Sequence, residues 1–365
     1  MYLLDIIGFA AAAVLALLLT PLAKKFAYWV GAVDAPNYRK VHTRIMPRLG
    51  GLGIFIAFVG AYFVVSPALK EYDIRAALGL LVGGAVIVLV GALDDRFELS
   101  PKVKLLGQVI AACVVVAFGL RVDLVNIPFG DSWSIMGWLS IPVTILWIVG
   151  VTNAINLIDG LDGLSAGVSG IATATMLVMA LMMGNVTVAI LCAILLGSIS
   201  GFLYYNFHPA KIFMGDSGAL FLGFSLATLS ILGFKQATVV SFLVPVLILG
   251  VPLSDTFFAI IRRWLNKMPI SAADKSHLHH CLLQLGFSHR TTVLIIYGIS
   301  FFFGICAIVL SQAATWGIIV LIAVILLIME LGAEAIGIIS KSRKPLLHLI
   351  QKLRVGRLPK SRTSK

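Results

Sequence analysis

Residues 137–183 read GWLSIPVTILWIVGVTNAINLIDGLDGLSAGVSGIATATMLVMALMM. Two apolar runs, 137–156 and 164–183, flank one short polar turn. Each run has the roughly 20 residues that a helix needs to cross a bilayer. Between them Asn153, Asn156, Asp159 and Asp162 recur every third residue, and Gly160 and Gly163 break the helical pattern. A plain helix–turn–helix connection uses one or two such side chains as caps. Two amides and two carboxylates at the edge of a membrane exceed that need. Their oxygens are hard ligands suited to Mg²⁺, and the glycines let backbone lie close to a ligand.

The same alternation runs along the whole chain. Hydrophobic residues make up 60% and charged residues 12% of the 365, and mean hydropathy is +1.03. A soluble domain carries about 25% charged residues, so this composition belongs in a bilayer. Eleven apolar segments are read, near 3–22, 49–67, 75–93, 105–120, 137–156, 164–183, 186–205, 217–233, 238–261, 291–311 and 316–337. The expected fold is an all-α polytopic integral membrane protein with about 11 transmembrane helices, in which 1–340 form one transmembrane catalytic domain and 341–365 a basic cytoplasmic tail.

The first segment has Asp5 in place of a basic start, lacks a clear cleavage site and is followed by Lys24 and Lys25. It reads as an uncleaved helix with its N-terminus outside, which leaves the C-terminus cytoplasmic. Alternating sides from there, the inner loops hold 24 of the 28 Lys and Arg, and only Lys70, Arg75, Arg121 and Lys235 fall outside. The net charge of +12 is therefore mostly a topology signal, with attraction to anionic membrane lipids second; it does not indicate nucleic-acid binding. Cys113, Cys192, Cys281 and Cys306 form no CxxC pair and read as structural thiols.

A charge at the bilayer centre costs at least about 2.5–3.5 kcal/mol, so the positions of the acids carry information. Asp94, Asp95 and Glu98 end the third segment, Asp159 and Asp162 lie between the fifth and sixth, and Asp216 starts the eighth. The topology puts all six on the inner side. Adjacent carboxylates repel unless a cation or proton separates them. Alone, the Asp94 pair is an ordinary solvated helix end. It can also meet phosphates through a divalent metal, and Lys102 and Lys104 close behind can hold phosphate oxygens as point charges. In Asn206–Gly218 the Gly-Asp-Ser-Gly turn is an ordinary cap, but Phe213 beside it can stack on a base.

The last cluster is His277-Leu-His279-His280, preceded by Lys275 and faced by Arg262 and Arg263. Zinc needs three or four ligands and Cys281 is a nominal fourth, yet no second Cys/His group completes the set. Imidazoles reaching phosphate or sugar hydroxyls fit better. An ion-coupled transporter is the competing class. It requires acids deep in helices along a path, for which only Asp255, Glu330 and Glu334 qualify.

With these residues in view, the chain resembles the polyprenyl-phosphate N-acetylhexosamine-1-phosphate transferases, TagO/WecA branch, relatives of MraY. The resemblance spans nearly the whole chain: Pro47–Gly51, Asp94-Asp95, Asn153–Asp162, Phe213–Gly218 and His277–His280, in the family's order. Leu278 interrupts the triple His of the MraY branch, which favours a plain N-acetylhexosamine. Glu98 stands where the family pattern has Asp, which weakens any direct role for it.

The resemblance implies transfer of GlcNAc-1-phosphate from UDP-GlcNAc to undecaprenyl phosphate with release of UMP. The implied cofactor is Mg²⁺ or Mn²⁺, and the site lies on the cytoplasmic face of the plasma membrane. This would be the first membrane step of a cell-envelope glycan such as teichoic acid, with a homodimer as a possible assembly. A different UDP-N-acetylhexosamine is the near alternative. By the same resemblance Asp216 and Asn156 bind the metal. Asp94, Asp95 and Asp159 are the catalytic residues, with Asp94 or Asp95 as base and Asp159 beside the metal to bind it or to position the phosphates. Lys104 meets phosphate, while Gly160, Leu161, Asp162, Asn206 and Phe213 line the uridine pocket. Arg263, His277, His279 and His280 face the sugar and diphosphate.

Overall fold

The computed structural model describes residues 2–35, 45–68, 74–122, 137–233, 239–269 and 276–312, with scattered helical positions between 317 and 330. The helices are α1 (Tyr2–Val30), α2 (Gly50–Val65), α3 (Ile74–Phe97), α4 (Pro101–Ala117), α5 (Gly137–Ile158) and α6 (Leu164–Met182). They continue with α7 (Val186–Asn206), α8 (Gly215–Gly233), α9 (Val239–Ile248), α10 (Gly250–Leu265), α11 (Leu278–Gln284) and α12 (His289–Gln312). Between α1 and α2 a short antiparallel ladder pairs β1 (Val33–Asp34) with β2 (Met46–Pro47). Arg48 fixes it by an ion pair to Asp34 at 2.7 Å.

Among the described residues, eight helices are long and apolar enough to cross a membrane: α1, α2, α3, α5, α6, α7, α8 and α12. The chain is an all-α polytopic membrane protein. The remaining expected crossings differ in form. α4 has 17 residues, and the expected run 238–261 is two helices that meet at Leu249. Pro252 has no N–H to offer the Ile248 carbonyl four residues earlier, so the helical ladder is interrupted there. Most of 316–337, most of the 121–136 loop, Lys70, Lys235, Lys275 and the tail 341–365 lie outside the described residues.

α8 is the axis. Every residue from Ser217 to Ile231 is buried, and α2, α3, α5, α6 and α7 pack around it. Two of its hydroxyls are satisfied inside the bundle, while Ser225 Oγ is buried without a hydrogen-bond partner. Thr228 donates to the Phe224 carbonyl at 2.8 Å, and Ser230 donates to Ala227 O at 2.7 Å while accepting from Trp147 Nε1 at 3.0 Å. In lipid, helices associate through close packing more than through hydrophobic transfer, so small residues decide who touches whom. Gly197 and Gly201 of α7 form such a face, lying directly on the backbone carbonyls of Phe9 and Ala13 of α1. Within α1, Pro21 frees the Leu17 carbonyl, and the Tyr205 hydroxyl of α7 donates to it at 3.1 Å.

This packing brings one set of helix ends together. The start of α8 meets the ends of α3 and α5, the start of α4 and the start of α2, and α11 lies against the turn after α5. The described parts of the loops expected on the inner side therefore meet at one end of the bundle.

Candidate active site

The turn into α8 is built first from backbone. Gly215 has φ +72°, and a Cβ there would strike the Arg48 carbonyl and the Asp95 carboxylate. Phe213 N donates to Pro47 O at 2.8 Å, Gly50 N to Phe213 O at 3.1 Å and Gly51 N to Met214 O at 2.9 Å. Gly51 lies so close to Gly218 that no side chain fits between them. These contacts explain the Pro47–Gly51 motif: it clamps the 213–218 turn.

Asp95 acts on the same turn. Its carboxylate accepts from Asp216 N at 2.8 Å and Ser217 N at 3.0 Å, capping the N-terminus of α8 from α3. Both of its oxygens are thus engaged by backbone, and it is buried. The geometry makes Asp95 the residue that positions Asp216.

Around Asp216 the side chains meet one another. Lys104 Nζ donates to Asp94 Oδ2 at 2.9 Å and to Asp216 Oδ2 at 2.8 Å. Asn156 Nδ2 donates to Asp216 Oδ1. One turn deeper, Asn153 and Gln108 exchange amide hydrogen bonds at 2.6 and 3.2 Å, joining α4 to α5. The Asp216 side chain is 31% exposed against 9% for Asp94, so an incoming ligand reaches Asp216 first. Glu98 is exposed at the end of α3 and stands apart from the cluster. Half-buried Asp159 feels this group. Burial, then the charges of Asp216, Asp95 and Asp162, push its pKa up to about 8, so its carboxyl keeps a proton at neutral pH.

A second polar knot lies on the same turn. Asp162 Oδ2 accepts from His208 Nδ1 at 2.8 Å and from Ala210 N at 3.1 Å. Asn206, buried, accepts from Gly163 N at 3.1 Å and donates to Ile212 O at 3.0 Å. The Tyr297 hydroxyl of α12 donates to Gly163 O, and Arg290 donates to His208 O at 3.0 Å. Ligand atoms of Asp162, His208 and His289 lie within 4.8 Å of one another. Asp162 already accepts from His208 and Ala210, and the His208 and His289 rings stack at 4.2 Å, so the group forms a joint between loops.

The histidines form the third wall. Asp255 accepts from His277 Nδ1 and from Leu278 N, both at 2.9 Å, and so fixes the start of α11 to α10. That leaves Asp255 buried inside an anchor between α10 and α11. His279 lies against Gly160, where a Cβ would collide with its ring, and His280 packs against it at 4.2 Å between centroids. Burial first, then the charge of His280, lowers the His279 pKa to about 3, so it is a neutral donor at pH 7. Leu161 is buried and Phe213 half-buried. Arg263 Nε is enclosed with no hydrogen-bond partner, a donor that an anion would satisfy.

Of the residues singled out in the sequence, Asp94, Asp95, Lys104, Asn156 and Asp216 form one cluster, with Asp159 in its field. Asp162 and Asn206 form the joint beside it, and Gly160 meets His279. Gln108, His208, Asp255 and Tyr297 were not assigned a part in this site from the sequence. Each acts on a partner 22 to 134 positions away, so no local pattern marks it.

A family model described as glycosyl transferase family 4 matches residues 77–234. The chain is 48% identical over 349 residues to the probable undecaprenyl-phosphate N-acetylglucosaminyl 1-phosphate transferase of Bacillus subtilis (strain 168), covering 95% of this chain and 96% of that relative. It is 38% identical over 327 residues to the decaprenyl-phosphate N-acetylglucosaminephosphotransferase of Mycobacterium tuberculosis, covering 80% and 79%. It is 31% identical over 281 residues to the undecaprenyl-phosphate alpha-N-acetylglucosaminyl 1-phosphate transferase of Salmonella typhi, covering 75% of each.

Proposed function

The chain belongs to glycosyl transferase family 4, the polyprenyl-phosphate N-acetylhexosamine-1-phosphate transferases, and on that premise we propose that it transfers GlcNAc-1-phosphate from UDP-GlcNAc to undecaprenyl phosphate, releasing UMP. The observation that carries this reading is the convergence of Asp94 and Asp216, from two helices, on the Lys104 ammonium at one end of a membrane bundle, with Asn156 of a third helix donating to the other Asp216 oxygen. Carboxylate and amide oxygens are hard donors that suit Mg²⁺ or Mn²⁺, and Lys104 already puts positive charge at that point. Asp216 and a turned Asn156 amide would hold the metal. When bound, it supplies charge neutralisation between two polyanionic substrates.

The rest falls to the chain's own residues. An oxygen of the lipid phosphate attacks the sugar-bearing phosphorus, the bond from that phosphorus to the bridging oxygen breaks, and UMP leaves with the electron pair. A phosphate monoester has a second pKa near 6, so the acceptor is already mostly dianionic at pH 7. No base is needed to ionise it, and direct attack is the favoured scheme. Asp94 and Lys104 hold the acceptor phosphate in line. Asp95 keeps Asp216 in place. Arg263 and neutral His279 offer N–H donors to the diphosphate and sugar, and Phe213 stacks on the uracil face.

The charge distribution supports placing this end in the cytoplasm, with 24 of 28 Lys and Arg on the loops expected there. Eleven crossings, with the interrupted α9–α10 pair as one, fit that orientation. The product would feed an envelope glycan such as teichoic acid. The test is product analysis by mass spectrometry after incubating purified protein with undecaprenyl phosphate, Mg²⁺ and each of several UDP-sugars. UMP and undecaprenyl-diphospho-GlcNAc are expected. No lipid product with any UDP-N-acetylhexosamine would sink the proposal.

A further inference from the structure

Lys104 sits where the transferase reading puts the metal. Its Nζ lies 2.8 Å from Asp216 Oδ2 and 2.9 Å from Asp94 Oδ2, while Asn156 takes the other Asp216 oxygen. A divalent ion bound by Asp216 at about 2.0–2.1 Å would share that carboxylate with the ammonium. Two cations on one half-enclosed carboxylate repel, and the dication has the stronger claim. The lysine can yield without leaving the site. It is a point charge on a flexible stem with three donors, so it can keep its bond to Asp94 and swing off Asp216. The more exposed side of the pair is Asp216, at 31% against 9%, so the freed donors turn toward the side from which substrate arrives.

We infer that Lys104 is a resident counter-ion of the Asp94–Asp216 pair, and that metal binding at Asp216 transfers its ammonium from Asp216 to the phosphate of the lipid acceptor. The inference rests on the transferase reading. It involves exchange of ion pairs only, with no bond made or broken. It has two consequences that the reading alone does not. The resting site binds metal more weakly than its carboxylates would allow, because the lysine competes. Metal and acceptor phosphate strengthen each other's binding, because each takes one end of the exchange, and that coupling is reciprocal.

The experiment measures Mn²⁺ affinity of the purified full-length protein by electron paramagnetic resonance of free Mn²⁺, with and without farnesyl phosphate as a short acceptor probe. Lys104→Met, neutral and of similar length, should bind Mn²⁺ about tenfold more tightly than the wild type, opposite to the loss expected from a damaged site. Farnesyl phosphate should tighten Mn²⁺ binding several-fold in the wild type and by less in Lys104→Met. Unchanged or weaker binding in the variant, or equal tightening in both proteins, would overturn the exchange. The wild-type response to farnesyl phosphate tests the coupling even if the variant folds poorly, since no tightening there also overturns it. Asp216→Asn separates the two levels. If it loses Mn²⁺ while Lys104→Met is unchanged, only the exchange fails. If it binds Mn²⁺ like the wild type, the metal assignment fails and the exchange with it.

Discussion

Two polar knots only a turn apart use the same residue types for different ends. Around Asp216, carboxylates and an amide face each other and the Lys104 ammonium, with side chain meeting side chain. Around Asp162 and Asn206, carboxylate and amide are mostly spent on backbone groups of neighbouring loops. Side chains paired only with one another can change partners when a charged ligand arrives. Side chains that satisfy buried backbone cannot move without leaving those groups unmet, which costs about 1–3 kcal/mol each. On the proposed function the Asn153–Asp162 motif divides its labour: Asn156 would serve the chemistry, while Asp162 ties together the loops beside it.

The largest expected effect tests the first knot. Asp216→Asn should lower kcat at least about 10³-fold, roughly 4 kcal/mol of barrier, while the thermal midpoint in detergent stays within a few degrees. A large drop in melting temperature with activity retained would reverse the contrast. Asn206→Ala should show the opposite balance. It removes one acceptor and one donor from buried backbone, so a loss of about 1–3 kcal/mol in stability is expected, with kcat of the folded fraction within about tenfold of wild type. A fully stable but inactive variant would move Asn206 into the chemistry.

Phe213 sits on the loop between the knots and sharpens the nucleotide side. Phe213→Ala should raise the KM for UDP-GlcNAc about tenfold with a smaller change in kcat, as expected for loss of one stacked base. An unchanged KM would remove the stacking role.

Asp159 gives the smallest effect, in the pH dependence of stability without metal. Its folded pKa of about 8 exceeds the unfolded value of 3.8, so between those values the folded state binds the extra proton. Its relative stabilisation is complete below about pH 3.8 and is lost as pH rises through 8. Asp159→Asn should flatten the fall in melting temperature between pH 5 and 8, and a slope equal to wild type would place Asp159 outside this field.

The sequence made the membrane class and the helix-end position of the acids legible, because twenty-residue apolar runs and charge placement are local signals. Even the break at Leu249 had a visible cause in Pro252, though the apolar run hid it. The separate roles of Asp94 and Asp95 were not legible. Adjacent in the chain, they point to a lysine and to the first turn of α8, and only the packing of α3 on α8 decides which does which. Asp255 looked like a membrane acid because its partner, His277, lies in a different motif.

The central claim is that the Asp216 knot carries out transfer between two phosphates. The most direct measurement follows UMP release and lipid-linked product together over time, for wild type and Asp216→Asn purified in the same detergent. The account predicts one UMP per lipid-diphospho-GlcNAc in the wild type, dependent on added Mg²⁺ or Mn²⁺ and nearly absent in the variant. Equal rates in both proteins, or UMP release without lipid product, would contradict it.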